Sequence, residues 1–400
     1  MARAPRNRVA LATLMIIIPL LLGGTACAGL EVGGAQPAQT PGSTPPPTAP
    51  PTTRPDAAEL ALSALSLEQK ISSLLMLHTP GTDGAALRAF VDRYRLGGLI
   101  LMGDNMPGGT DATDLAALGA LTAAVRGTEA FPPLIGIDQE GGDVVRIGPD
   151  PAAGADVLRG LPPAATADAF HARSELLAGA GIDVNFGVVA DISADPGSFI
   201  YTRSLGADAA ASSARVASAV AGEGSRVLST LKHFPGHGAA PGDSHHAVPS
   251  SPMGLAEWRA TEAPPFQAGI DAGAELVMFG HLAYDAVDPA PASLSPEWHR
   301  LLREELSFEG LTITDDMRML LDSGDPRYAD PIANTVAAFA AGNDIVLLTL
   351  PADPATVGVD VDAMIAGVAA AVRSGQLDAA QIDASALAVL RLKEIPRTLE

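Results

Sequence analysis

Val227-Leu228-Ser229-Thr230-Leu231-Lys232-His233-Phe234-Pro235-Gly236-His237-Gly238 is the stretch on which the reading of the fold turns. A short apolar run reads as a buried strand and ends abruptly in Lys232 and His233. The glycines that follow permit backbone angles closed to other residues, so a loop leaves the strand end. Asp243-Ser244-His245-His246 continues it, and four of the eight histidines of the chain fall in this window. A segment so rich in titratable groups and so poor in bulk suits chemistry better than core packing.

Working outward, similar runs recur along the chain. Strands are expected at 74–77, 98–102, 134–138, 184–189, 229–233, 276–281, 311–315 and 344–350, with helical stretches such as Asp111–Arg126 and Thr335–Ala341 between them. Strands alternating with helices predict a parallel sheet, and eight repeats predict an α/β fold closed into a single (β/α)8 TIM-type barrel. A doubly wound open sheet is the rival. No GxGxxG follows an early strand, so its dinucleotide-binding form lacks support. Asp138, Lys232 with His233, His281 and Asp315 would end strands three, five, six and seven. In a barrel the C-terminal strand ends form one mouth, so these groups are expected to converge there.

Composition narrows the class. The chain has 400 residues, 47% of them hydrophobic, a net charge of −21 and one cysteine, Cys27. A disulfide within the chain and a finger-type zinc site are therefore excluded. The acidic balance argues against nucleic acid, whose readers need basic surfaces. Arg3, Arg6 and Arg8 precede an apolar segment, Val9 to Gly24, that is shorter than the ~20 residues a membrane-spanning helix needs. Thr25-Ala26-Cys27 then follows. Residues 1–27 read as a secretory signal of the lipoprotein type, with Cys27 lipidated, although Gly24 stands where Leu is usual. Residues 28–57 are Pro- and Thr-rich and read as an extended tether. The folded domain is expected over 58–400, held by a lipid on the outer face of the cell membrane, in the cell-wall space.

The candidate chemistry has competing readings. Asp315, at the end of Leu311-Thr312-Ile313-Thr314, suits a nucleophile or general base, or a helix N-cap. Asp243 beside His245 suits an oriented imidazole for acid/base work. A solvated loop, or a metal site built from His233, His237, His245 and His246, competes with it. Asp138-Gln139-Glu140-Gly141-Gly142, Arg146 and Arg203 suit a hydroxyl-rich ligand, or surface ion pairs.

Taken together, these segments resemble glycoside hydrolase family 3, in particular its single-domain bacterial β-N-acetylglucosaminidases. Gly136 to Gly142, Lys232 to Gly238 with Asp243-Ser244-His245, Pro291-Ala292-Ser293-Leu294-Ser295, and Gly310 to Met317 carry the resemblance, in family order. It implies a retaining mechanism with Asp315 as nucleophile, and His245 oriented by Asp243 as acid/base. It implies sugar binding by Asp138, Arg146, Arg203, Lys232 and His233, with no cofactor or metal. The implied substrate is N-acetylglucosamine β-linked to N-acetylmuramic acid in peptidoglycan fragments, and a monomer is expected. The family's β-glucosidases and β-xylosidases usually draw an acid/base Glu from a second domain, and none is expected here. A phosphorylase of the same family and a non-catalytic carbohydrate-binding lipoprotein are the alternatives. Asp143, Val188 and Arg318 depart from the family pattern without removing any of the implied catalytic groups.

Overall fold

The computed structural model describes residues 56–395. The signal, Cys27 and nearly all of the tether lie outside the described residues. Eight strands form the barrel: β1 (Leu75–Leu77), β2 (Gly98–Leu101), β3 (Leu134–Ile137), β4 (Val184–Val189), β5 (Leu228–Phe234), β7 (Leu276–Phe279), β9 (Leu311–Thr314) and β10 (Val346–Leu348). Two short strands, β6 (Ser250–Ser251) and β8 (Ala283–Tyr284), pair separately in the loops above. All neighbours in the barrel run parallel, in the order β10-β1-β2-β3-β4-β5-β7-β9. The ring nearly closes between β9 and β10: an Ile313–Ile345 bridge joins them, and Ile345 N–H donates to Thr312 O at 2.9 Å. The expected eight-stranded barrel is thus the observed fold. Only the fourth strand keeps both expected ends; the other seven differ from expectation by one or two residues at one or both ends.

The sequence reasons for this architecture are local. Every residue of the barrel strands is buried, which is why they read as short apolar runs and not as alternating ones. Asp83, Asp114, Asp208, Asp330, Asp360 and Asp378 each cap a helix, accepting backbone N–H bonds of the first turn. Such a cap contributes about 1 kcal/mol and places negative charge at the positive end of the helix dipole. Part of the strong net acidity is therefore structural. The first helix, Ala57–Ser63, is closed by a capping box on Asp56, and Arg391 of the last helix binds both Asp56 and Glu59.

An aromatic cluster lies behind β5 and β7. Phe234 meets Trp258, Phe266, Phe279 and Trp298 edge to face, with centroids 4.9–6.0 Å apart. The cluster also fixes where the long loop after β5 begins. Trp258 Nε1 donates to Pro235 O at 2.9 Å, and the Tyr284 hydroxyl donates to Gly236 O at 2.6 Å. Gly236 has φ 128°, and a Cβ there would lie 2.7 Å from Glu262 Oε2, so only glycine fits.

Candidate active site

The strand ends deliver their polar groups as expected. Asp138 follows β3, Lys232 and His233 lie in the last turn of β5, and Asp315 follows β9. All four line one cavity of about 190 Å³ at the C-terminal mouth, together with Arg146, Arg203 and His245. Asp243 holds His245 from outside this cavity, facing a neighbouring groove. The candidate residues of the sequence reading within the described region are thus brought together. His281 is the exception among the expected mouth residues. It is buried beneath, its Nδ1 bonded to Ser293 Oγ at 2.7 Å and its Nε2 donating to Asp316 O at 2.9 Å, so it supports the turn after β9.

One wall of the cavity is a network of buried charges. Lys232 Nζ donates to Asp138 Oδ1 at 2.8 Å and lies 2.7 Å from Glu140 Oε1. Arg203 grips Glu140 with two bonds, Nε to Oε2 at 2.9 Å and Nη2 to Oε1 at 2.8 Å. Arg146 Nη2 stands 3.6 Å from Asp138 Oδ2. Burial alone would raise the Glu140 carboxyl, but Arg203 and Lys232 outweigh it and hold it far below the usual range. Burial would likewise lower Lys232, yet Asp138 and Glu140 keep its pKa raised. Gly141, at φ 86°, lets the Arg173 guanidinium pass where a side chain would collide, and Arg173 in turn bonds Asp150. The turn carrying Glu140 is therefore built from beneath.

Asp191 is a functional candidate that the sequence reading missed. It follows β4 by two residues and is fully buried. Its Oδ2 accepts from His233 Nδ1 at 2.6 Å, and its Oδ1 accepts the His237 N–H, also at 2.6 Å. Arg203 Nη2 lies 3.3 Å from the other ring nitrogen, so His233 is fixed from both sides. The signal was present: Asp191 is one more carboxylate just past an apolar run. Glu140 stood inside a quoted motif, but its partners lie 63 and 92 positions away in sequence.

Asp315 is prepared as an anion. Burial pushes its carboxyl up, but His233, His281, the Asp316 N–H and Lys232 outweigh this and hold its pKa at about 2. The Asp316 N–H donates to Asp315 Oδ1 at 2.8 Å, and the Asp315 N–H donates to Phe279 O at 2.9 Å. The neighbouring Asp316 ties the turn after β9 to the end of β10: it accepts the Arg318 and Thr349 N–H groups at 3.0 and 2.9 Å and the Thr349 hydroxyl. Burial raises its own carboxyl to about 6.

On the loop, His245 Nδ1 donates to Asp243 Oδ1 at 2.6 Å, and the His245 N–H reaches the same oxygen at 3.0 Å. Burial would raise the Asp243 carboxyl, but these two bonds keep its pKa lowered. With Nδ1 committed, Nε2 is the atom free to exchange a proton. Among the described residues no group of three or more His, Cys, Asp or Glu side chains is arranged to hold a metal, so the histidine cluster does not gather as a metal site. The three departures from the family pattern find local partners. Asp143 accepts from the Thr202 hydroxyl at 2.5 Å, Arg318 pairs with Asp322 at 3.0 Å, and Val188 is buried in the core.

Known proteins share this architecture. The glycosyl hydrolase family 3 N-terminal domain matches residues 66–392. A β-hexosaminidase of Stenotrophomonas maltophilia (strain K279a) is 34% identical over 301 residues, covering 70% of this chain and 84% of that protein. The solved family 3 β-N-acetylglucosaminidase from Paenibacillus sp. str. FPU-7 superposes with a TM-score of 0.73 at 30% identity, over 83% of this chain but only 62% of its own. The β-N-acetylhexosaminidase from Beutenbergia cavernae DSM 12333 gives 0.70 at 32% identity, over 82% and 98%. Matched over most of its length by the family domain and by relatives of this similarity, the chain belongs to glycosyl hydrolase family 3.

Proposed function

We propose that this chain is a retaining β-N-acetylhexosaminidase that releases terminal N-acetylglucosamine from peptidoglycan fragments. The observation that carries the reading is Asp315, a carboxylate held ionised in the same cavity as an imidazole whose other nitrogen is bound to a carboxylate. The relatives named for this activity support the class.

In the first step Asp315 attacks the anomeric carbon. The bond from that carbon to the leaving oxygen breaks as His245 Nε2 passes its proton to that oxygen. In the second step His245 takes a proton from water, which attacks the same carbon and frees Asp315. Most retaining glycosidases use two carboxylates; here the imidazole with Asp243 replaces the second. Asp138, Lys232, Arg203, Arg146 and His233 bind the sugar hydroxyls by charge-assisted hydrogen bonds. They form a wall already assembled, so little ordering is left for the substrate to bring about. Asp191 positions His233. The enzyme is placed outside the cell, anchored through a lipid on Cys27 and held off the membrane by the tether of residues 28–57. Cys27→Ser should release it from the membrane fraction, and unchanged fractionation would refute the anchor.

The test is release of p-nitrophenol from its β-N-acetylglucosaminide and β-glucoside, with and without phosphate. Strong preference for the N-acetyl sugar with free sugar as product is expected. Sugar 1-phosphate among the products would make it a phosphorylase, preference for the glucoside would make it a β-glucosidase, and no turnover by the folded domain would favour a binding protein.

A further inference from the structure

A second cavity, of about 560 Å³, lies on the other side of the catalytic loop. It is bounded by residues 192–199, which follow β4, and by residues 238–243 of the loop itself. Two residues connect it with the site. Phe199 lines both cavities, and Asp243, which faces the groove, bonds the histidine that faces the active cavity.

Phe199 is half-buried. Its ring stands edge to face against His237, with centroids 4.7 Å apart, which fixes its orientation. His237 is itself held by its N–H bond to Asp191, so the aromatic ring is braced by the sugar-binding wall. A braced aromatic ring lining both a pyranose-sized cavity and a larger groove is a surface on which the apolar C–H face of a second sugar can pack. The groove beyond is lined mostly by small and apolar residues, and the charged residues among its lining are both acidic. Asp195 and Asp243 line it with serines and small residues, and none of its lining residues is Lys, Arg or His. It therefore suits a neutral or amine-bearing chain, which for a peptidoglycan fragment means a muramyl unit whose lactyl carboxyl is in amide linkage.

We propose that the aglycone leaves the active cavity across the ring of Phe199, which stacks its first sugar, and continues in the groove behind the catalytic loop. This rests on the glycosidase reading and names the leaving-group half of the same site. The acid/base residue then sits where the two halves meet, and the loop that carries it is one wall of the aglycone path.

The experiment compares kcat/KM for methyl β-N-acetylglucosaminide, N,N′-diacetylchitobiose and N,N′,N″-triacetylchitotriose in the wild type, Phe199→Ala, Phe199→Tyr and Ala194→Trp. Phe199→Ala should lower the disaccharide to methyl glycoside ratio by about tenfold, the scale of one lost aromatic contact, and Phe199→Tyr should restore it. Ala194, exposed on the rim of the groove, should when replaced by Trp depress the trisaccharide and spare the disaccharide. Equal losses on all three substrates in Phe199→Ala would reduce Phe199 to a brace for His237, and unchanged ratios would send the aglycone elsewhere. Either result overturns the path while leaving the activity standing. A wild type inactive on all three overturns the activity and the path together.

Discussion

The two halves of the site are built to opposite standards. In the sugar-binding wall, the side chains of Lys232 and Glu140 are each 3% exposed, and Lys232, Arg203, Glu140 and Asp138 are joined by contacts of 2.7–2.9 Å, with Arg146 3.6 Å from Asp138. On the loop, the side chains of His245 and Asp243 are 58% and 34% exposed, and the pair is held mainly by bonds within itself. A wall that must recognise one sugar gains from being rigid before the sugar arrives. A group that must give a proton to one oxygen and then take one from water gains from access to both. The difference also sorts the costs of mutation. Changes in the wall should damage folding and binding together, whereas changes on the loop should damage chemistry alone.

Asp315→Ala tests the point where the halves meet, and its effect should be the largest. Removing a nucleophile typically costs on the order of 10⁴-fold or more in kcat, with the far-ultraviolet spectrum and melting temperature close to wild type. Activity near wild type would remove Asp315 from the reaction. His245→Ala comes next. Its loss should reach roughly 10²- to 10⁴-fold on poor leaving groups such as alkyl glycosides, and shrink on p-nitrophenyl or dinitrophenyl glycosides, which leave unaided. Equal slowing on both series would show that His245 does not protonate the leaving oxygen. Melting temperature should hardly move, because the side chain is exposed.

Glu140→Gln inverts that pattern. It leaves Lys232 and Arg203 facing each other with one carboxylate, Asp138, where there were two. Breaking a buried ion pair typically costs about 3–5 kcal/mol, so chemical denaturation should show a loss of that order with a raised KM for whatever protein remains folded. A variant as stable as wild type would mean that the wall is not the rigid half.

How much of this was legible differs between the halves for a physical reason. The strand ends were readable because these buried parallel strands are mainly apolar and carry no charge before their C-terminal ends, so Asp138, Lys232, His233 and Asp315 stand out where the run stops. The Asp243–His245 pair was readable because its partners are two residues apart. Glu140 as the hub of the wall was not, since its bonds to Arg203 and Lys232 depend on three strands meeting at one mouth. Asp191 escaped because Val184–Val189 reads as the complete strand, and only its contact with His233 gives the next carboxylate a meaning. His281 failed in the other direction: a strand-end histidine has the right address, but its side chain turns to Ser293 and the Asp316 carbonyl.

The smallest effect concerns the junction between wall and loop. Glu262 packs against Gly236, where the loop departs, and its Oε2 is buried with no hydrogen-bond partner among the described residues. Burial, with Asp191 and Glu257 adding repulsion, pushes its carboxyl up to about 8 from an ordinary 4.5. The sign follows from which form the fold prefers. The neutral acid is favoured in the native state, so its full contribution is present below about pH 4.5 and is lost as pH rises toward about 8. Glutamine mimics the neutral acid at every pH. Glu262→Gln should therefore match wild type at pH 5 and exceed it at pH 8.5, by roughly 1–3 kcal/mol, seen as a melting-temperature gain at the higher pH alone. An equal shift at both values would mean that this carboxyl is ionised and satisfied in the native state. In that case the base of the loop would be a charged site like the wall, and the contrast between the halves would begin only beyond Gly236.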